Sequence, residues 1–258
     1  LGNQNTSSYY PFYLSHSVSP NGGSWLMNGS RPTVAGVPGV VSSTLTWENI
    51  YNTNVGLDFG LFNNRLTGYF EYYIRETKDM VGPPAEIGAA LGIGLPNTNN
   101  AILDNRGWDL QINWQDRIGE VNYNVGFNLS DNRVKVTKYP NESLSLNTYF
   151  DGMILGDIWG YETHGIAKSQ DEMDKWLADN DQSKLGSQWG EGDIMYKDLN
   201  GDGVVDNGNN TYEDHGDIKV IGNSNPRFRF GLNLGANWRG WDFSMFLQGV
   251  MKRDLWLS

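Results

Sequence analysis

Six segments of the chain alternate between apolar and polar residues with a period of two, and this pattern constrains the fold more than any other feature. Because successive side chains of a β-strand point to opposite faces, such alternation predicts strands with one apolar face. The predicted strands are 54–62, 66–76, 107–117, 121–130, 227–238 and 241–250. The chain is therefore predicted to be all-β.

The connections between these strands are of two kinds. The segments at 63–65, 117–120 and 239–240 are short enough for tight hairpin turns, whereas the connections at 78–105 and 135–225 are long. Short turns at one end and long loops at the other are typical of an up-and-down antiparallel sheet with two unlike ends.

Two architectures fit this pattern. In an outer-membrane β-barrel the apolar face contacts lipid and the polar face lines the lumen, with aromatic residues at the two interfaces. In a soluble β-sandwich the apolar face packs against a second sheet. The barrel predicts a lipid-facing set of Val55, Leu57, Phe59, Phe228, Phe230 and Leu232. It predicts a lumen-facing set of Asn122, Asn124, Asn233 and Gln248, and interface positions for Trp108, Trp114, Trp238 and Trp241.

Composition excludes several classes of protein. The formal charge of −11 argues against nucleic-acid binding, which needs a basic surface. The absence of cysteine excludes disulfides and cysteine-based metal sites. The sequence contains no run of about 18 apolar residues, so no membrane-spanning helix is predicted. Neither end resembles a natural terminus, so an excised fragment is expected.

The long connection at 135–225 carries a short predicted helix and several aromatic residues. The sequence "SQDEMDKWLAD" contains a capping box of Ser169 and Glu172 and places Met173, Trp176 and Leu177 on one face. This face is predicted to pack on the loop's own core. The aromatic residues are candidates for contact with a substrate or partner, or for a small core within the loop. They are Trp159, Tyr161, Trp176, Trp189 and Tyr212.

An acidic stretch in the same connection resembles a calcium loop. Its spacing, D-x-N-x-D-G-x-x-D, places oxygen ligands at the positions that an EF-hand loop uses. The candidate ligands are Asp198, Asn200, Asp202, Asp206 and the carbonyl of Val204. The twelfth position is Asn209 rather than glutamate, so Glu213 or Asp214 would have to complete the set. Ca²⁺ is preferred to Mg²⁺, which demands near-octahedral geometry. The alternative is an Asx turn that binds no ion.

No catalytic constellation is present in the sequence. The three histidines are widely separated, and the chain contains no H-E-x-x-H, G-x-S-x-G or Walker A motif. The sequence therefore predicts a protein that is not an enzyme.

Several motifs together resemble the SusC/RagA-type TonB-dependent outer-membrane transporters. The first is "TLTWENIYNTNVGLDFGLFNNRLTGYFEYYIRETKDMV" at 44–81, followed by "NNAILDNRGWDLQINW" at 99–114. The third is "GDIMYKDLNGDGVVD" at 192–206, and the fourth is "IGNSNPRFRFGLNLGANWRGWDFSMFLQG" at 221–249. The resemblance covers nearly all of 44–250, and within this range the motifs keep their order and rough spacing.

The resemblance implies part of a 22-stranded barrel. Residues 1–43 would be an extracellular loop region, 44–134 two barrel hairpins joined by the loop 78–105, 135–225 a long extracellular loop, and 226–258 a truncated hairpin. The plug domain, the TonB box and most strands would belong to a longer protein.

The resemblance also implies a function and partners. The whole protein would import oligosaccharides or peptides with energy from TonB, and a SusD-like surface lipoprotein would cover the loops. Its location would be the outer membrane, with lipid around the barrel. Two rivals stay open at this point, namely a siderophore or vitamin receptor and a soluble calcium-binding carbohydrate-binding module.

Overall fold

The computed structural model describes residues 2–3, 16–38, 40–42, 45–84 and 95–256, so most of the predicted loop region before residue 16 lies outside the described residues. The first strands are β1 (Gly2–Asn3), β2 (Val18–Ser19), β3 (Val34–Ala35), β4 (Glu48–Leu61), β5 (Leu66–Gly82), β6 (Thr98–Ile118) and β7 (Val121–Lys138). They are followed by β8 (Asp157–Tyr161), β9 (Thr163–Ile166), helix α1 (Gln170–Asp179), β10 (Ile194–Tyr196), β11 (Ile218–Asn223), β12 (Arg227–Trp238) and β13 (Trp241–Lys252).

One antiparallel sheet dominates this arrangement, in the order β1-β4-β5-β6-β7-β12-β13. The six strands predicted from alternation are neighbours in chain order, which confirms the up-and-down arrangement. Tight turns join them where the sequence predicts. Arg239 and Gly240 have φ angles of 44° and 88°, the positive values that a type I′ hairpin turn requires.

The strands are longer than the alternation predicts. The region 78–105 was expected to be a loop, yet β5 continues to Gly82 and β6 begins at Thr98. Likewise β7 continues to Lys138, beyond the predicted start of the loop at 135. The physical reason is that Arg133 and Lys135 take the place of apolar residues on the lipid side of β7, whereas Val134 and Val136 lie on its opposite face. The alternation therefore no longer follows one apolar face, although the backbone pairing continues.

The apolar face of the sheet is uncovered in the described part of the chain. Val55 and Leu57 on β4 are 69% and 64% exposed, and Trp241 on β13 is 77% exposed. The buried apolar residues lie instead at the loop end of the strands and in the long connection. They are Ala101, Val136, Phe150, Ala167, Met173, Met195, Val205 and Ile218. The packing against a second sheet that a sandwich requires is therefore not seen in the described residues.

Strand register places the predicted lipid-facing residues together, with one exception. Leu57 pairs with Phe70, Phe70 with Leu110, Leu110 with Leu129, and Leu129 with Phe230. At Phe228 the φ angle is 53°, and the ladder between β12 and β13 passes from Arg227 to Arg229. This irregularity breaks the alternation at the start of β12, so Phe228 does not follow the pattern of the set.

The apolar band crosses the ladder obliquely. On β6 the band reaches Trp108, but the residue paired with it on β7 is Asp131. At the turn end the band continues to the pair Trp238 and Trp241. A level membrane boundary meets tilted strands in this way, because paired residues on neighbouring strands then lie at different heights.

The long connection forms a compact unit above the sheet. β8 pairs with β11, β9 pairs with β10, and α1 packs beside them. The Ser169 half of the capping box is confirmed, since its hydroxyl accepts the Glu172 N–H at 3.2 Å. The Glu172 carboxylate accepts the N–H of Lys168, one residue before the position that a capping box uses. Within the described residues, no helix is long and apolar enough to span a membrane.

Candidate functional site

The polar face of the sheet carries hydrogen-bonding side chains on several neighbouring strands. Asn122 pairs with Asn237, and Gln248 pairs with Gly231, so the predicted lumen-facing residues share this face. A shallow groove in its centre has an almost wholly polar lining. Its polar side chains include Tyr69, Asp109, Gln111, Asn113, Asn128, Ser130 and Asn233.

Glycines on this face lie directly opposite amide side chains. Gly231 pairs with Asn128, and Gly235 pairs with Asn124, in the ladder between β12 and β7. A Cβ atom at either glycine would collide with the Oδ1 atom of its asparagine. The amides therefore lie over the glycines, close to the backbone.

The helix and three of its neighbours form the core of the long connection. Met173 is fully buried beside Ala167 and Met195, and Trp176, Leu177 and Trp189 pack around them. The prediction that the helix packs on the loop's own core is thus confirmed.

Gln182 forms the polar part of this core, and its side chain is fully buried. Its Oε1 atom accepts the Tyr196 N–H at 2.7 Å and the Trp176 Nε1–H at 3.2 Å, while its Nε2 atom donates to the Ile194 carbonyl at 3.2 Å. A buried amide with satisfied donors and acceptors fixes the geometry around it. Nothing in the local sequence distinguishes Gln182 from a surface glutamine.

The five candidate loop aromatics do not form one exposed surface. Trp176 and Trp189 are half-buried, and their indole N–H groups are bonded inside the unit. Trp159 contacts Phe150 and His215, and Tyr161 contacts Tyr196. Tyr212 differs, because it is 53% exposed. Of these residues, Tyr212 has the most surface for a substrate or partner.

Glu162 links the two ribbons of the connection. It lies between β8 and β9 and forms ion pairs with Lys197, at 2.6 Å, and with Lys219 of β11. Hydrogen bonds from these two lysines lower the pKa of Glu162 to about 2. A depressed carboxyl pKa contributes stability that is lost as the pH falls from about 4.5 towards 2. The link is therefore intact at neutral pH.

The acidic stretch folds into a tight loop held by its own side chains. Asp198 accepts the N–H groups of Gly201 at 2.6 Å and Gly203 at 2.7 Å. Asp202 accepts the Val204 N–H at 2.8 Å, and Asp206 accepts the Gly208 N–H at 2.7 Å. Gly203 has a φ angle of 83°, which explains the need for glycine at this turn.

Asp217 anchors this loop from outside the motif. Its fully buried carboxylate accepts N–H groups from Leu199 at 2.6 Å, Asn200 at 3.2 Å and Asp206 at 2.9 Å. These donors satisfy the buried carboxylate. Sequence reasoning missed Asp217 because it lies beyond the spacing of a calcium loop and no pattern marks it.

The loop has acidic neighbours but not a formed metal centre. Desolvation raises the pKa of Asp198, but the N–H donors of Gly203 and Gly201 outweigh it and leave the pKa below its ordinary value. The side chain of Asp217 also acts on this carboxyl group, which indicates that the two are close. Among the described residues, no group of three or more His, Cys, Asp or Glu side chains is arranged to hold a metal ion. The calcium prediction stays a prediction.

An ion pair fixes the point at which the long connection returns to the sheet. The Arg227 guanidinium at the start of β12 binds both oxygens of Asp131 on β7. Both side chains are largely buried, at 16% and 8% exposure. The neighbouring Arg229 donates to Asn132 at 3.1 Å. Together these bonds join residues that are almost a hundred positions apart.

Comparisons with known sequences find relatives of one kind. TonB-dependent receptor P3 of Formosa agariphila is 25% identical over 228 residues, which cover 83% of this chain and 21% of the relative. TonB-dependent receptor SusC of Bacteroides thetaiotaomicron is 24% identical over 224 residues, covering 83% of this chain and 20% of SusC. No family model matches the chain.

Solved structures give the same result for the fold. The RagAB peptide importer in its open-open state superposes with a TM-score of 0.65 at 19% identity, covering 94% of this chain and 24% of that chain. Its closed-closed state gives 0.63 at 20% identity, covering 96% and 25%. The chain therefore resembles part of the SusC/RagA-type transporters in sequence and in fold. Its antiparallel strands and short helix match part of a SusC/RagA β-barrel.

The chain spans about a fifth to a quarter of the length of the relatives it matches. The relatives carry the names of receptors and importers rather than of enzymes, which agrees at that level with the prediction of a non-enzyme. TonB-dependent receptors such as SusC are outer-membrane proteins, and the exposed apolar face agrees with that location.

Proposed function

We propose that the chain forms part of the barrel wall and outer loops of a TonB-dependent transporter. The observation that carries this proposal is the sheet itself, which has an exposed apolar face, a polar opposite face and long connections at one end. In a membrane barrel these features correspond to the lipid contact, the lumen and the extracellular loops.

The proposed cargo is an oligosaccharide or a peptide, taken up together with a SusD-like lipoprotein on the outer loops. The polar face supports this cargo class because its Asn, Gln, Ser and Tyr side chains hydrogen-bond to hydroxyl and peptide groups alike. Exposed Tyr212 is the candidate aromatic contact on the loop side. TonB would act through the plug domain of the longer protein.

The membrane assignment predicts how the chain behaves in solution. The apolar face and the outer edge of β13, which pairs with no further strand in the described residues, should drive aggregation in aqueous buffer. Detergent should convert the chain into a dispersed form with β circular dichroism. Size-exclusion chromatography with light scattering, in buffer and in detergent, provides the measurement.

The opposite result would contradict the membrane assignment. A monodisperse monomer that melts cooperatively in plain buffer would require the apolar face to be covered within the chain. Such a monomer would favour the soluble carbohydrate-binding module.

We also propose that the acidic loop binds Ca²⁺ as a stiffening ion. The ligands would be Asp198, Asn200, Asp202, Asp206 and the Val204 carbonyl. The spacing of these oxygens and the nearness of Asp198 and Asp217 support the proposal, since adjacent carboxylates repel without a cation. Asp202 and Asp206 can bind an ion and still accept the N–H groups of Val204 and Gly208, because a carboxylate has about four lone pairs.

Calorimetric titration of the detergent-solubilised chain tests the calcium site. Heat of binding is expected with Ca²⁺, weaker heat with Mg²⁺, and none after Asp202→Ala. Glu191→Ala is the matched control, because Glu191 is an exposed acid outside the loop. If Ca²⁺ gives no heat with the unmodified chain, the loop is an Asx turn closed by Asp217.

A further inference from the structure

A basic cluster lies on the apolar side of the sheet, just beyond the aromatic end of the band. Trp108 pairs with Asp131, and the next pair on the same face towards the loops is Arg106 with Arg133. Lys135 follows Arg133 on this face, paired with Asp104. We propose that Arg106, Arg133 and Lys135 bind the phosphate groups of an anionic lipid headgroup. This inference rests on the proposed membrane function.

The charges of the basic cluster are only partly balanced by the protein, through Asp104 beside Arg106 and Asp131 beside Arg133. Arg106 forms an ion pair with Asp104 at 2.8 Å, but its side chain is 61% exposed. Arg133 and Lys135 are exposed and form no ion pair with the described part of the chain. Like charges directly opposite each other on neighbouring strands destabilise a sheet. An external anion between Arg106 and Arg133 would remove this repulsion.

The surface around the cluster is concave and partly aromatic. It encloses about 530 Å³. Tyr72 and Trp108 line the side towards the apolar band, and Gly152 and Ile154 of the long connection line the opposite side. In this concavity four basic residues accompany two carboxylates, although the whole chain carries a formal charge of −11. This concavity therefore carries a local excess of positive charge that the chain as a whole does not have.

The height of the cluster fits a lipid headgroup. Arg106 lies two residues beyond Trp108, and Arg133 lies four residues beyond Leu129, the last apolar residue of this face on β7. At about 3.3 Å per residue and a strand tilt near 45°, these side chains begin roughly 5 and 9 Å above the hydrocarbon. The headgroup layer occupies roughly this depth. A soluble anion has no comparable reason to bind at the edge of the apolar band.

Lipid binding to the full chain in detergent micelles tests the proposal. The probe is diphosphorylated lipid A, with zwitterionic phosphatidylcholine for comparison, and native mass spectrometry counts the bound lipid. The variant Arg133→Gln with Lys135→Gln keeps the side chains polar while removing two charges. The matched control is Arg75→Gln, because Arg75 is exposed on the opposite face of the neighbouring strand.

We expect the unmodified chain and Arg75→Gln to prefer lipid A, and the double variant to bind it about 25-fold less tightly. This corresponds to about fivefold for each cation near an anionic membrane surface. Equal binding by the double variant and the control would overturn the proposal. Displacement of lipid A by millimolar inorganic phosphate would also overturn it, since it would identify a free-phosphate site.

The same experiment separates this inference from the proposed function. If the chain enters micelles as a dispersed β-protein but shows no preference for lipid A, the headgroup site is wrong and the membrane function stands. If the chain is a soluble monomer that does not bind micelles, the headgroup site and the membrane function are both wrong.

Discussion

Replacing Asp131 with alanine is expected to lower the free energy of unfolding by about 3–5 kcal/mol. The variant leaves the Arg227 guanidinium largely buried without its bidentate partner, and an unpaired buried charge is costly. The loss should appear in urea unfolding of the micelle-inserted chain. Faster proteolysis of the connection before β12 should accompany it, because this ion pair fixes the return of that connection.

The chain provides a matched control in an exposed ion pair of the same kind. Arg239 and Glu120 join two hairpin turns, and their side chains are 66% and 56% exposed. Glu120→Ala should therefore cost no more than about 1 kcal/mol. Equal losses from Asp131→Ala and Glu120→Ala would show that burial of the Asp131 pair has no energetic weight.

Leu232→Arg is expected to destabilise the membrane-inserted chain by about 2–4 kcal/mol. Leu232 lies in the middle of β12 on the apolar face, between Phe127 and Leu247. A charge at that depth must be removed from water without a partner. Urea titration in lipid vesicles measures the loss.

The adjacent residue provides the control for this prediction. Asn233 lies on the polar face of the same strand, so Asn233→Arg should be tolerated in the vesicle experiment. Equal losses from the two variants would contradict the assignment of faces. A larger loss from Asn233→Arg would reverse it.

The sheet could be predicted from sequence as far as its apolar band extends. Alternation identified each main strand because, within the apolar band, one face of the strand carries apolar residues and the other carries polar ones. Beyond Trp108 on β6 the residues on that face become Arg106 and Asp104, and the periodic contrast ends. The apolar residues of the outer segment of β6 are Ala101, Ile102 and Leu103, which are consecutive and show no period of two. For this reason the region 78–105 was wrongly expected to be entirely loop.

The long connection could be predicted only where local chemistry determines the structure. Ser169 and Glu172 stabilise a helix start within four residues, so the capping box identified α1 correctly. Glu162, Gln182 and Asp217 act instead through partners distant in the chain, as Glu162 does with Lys197 and Lys219. Single residues of common types carry no signal of such distant partners. Their roles follow only from the three-dimensional structure.

The glycines opposite Asn124 and Asn128 affect how far side chains project from this part of the polar face. Since each amide lies over a glycine, this part of the surface has low relief, and its hydrogen-bonding groups lie along the wall instead of projecting from it. A polymer moving past such a surface exchanges one weak contact for an equivalent one and meets no deep trap. Under the transport function proposed above, a smooth polar wall of this kind would suit passage of a cargo better than its retention.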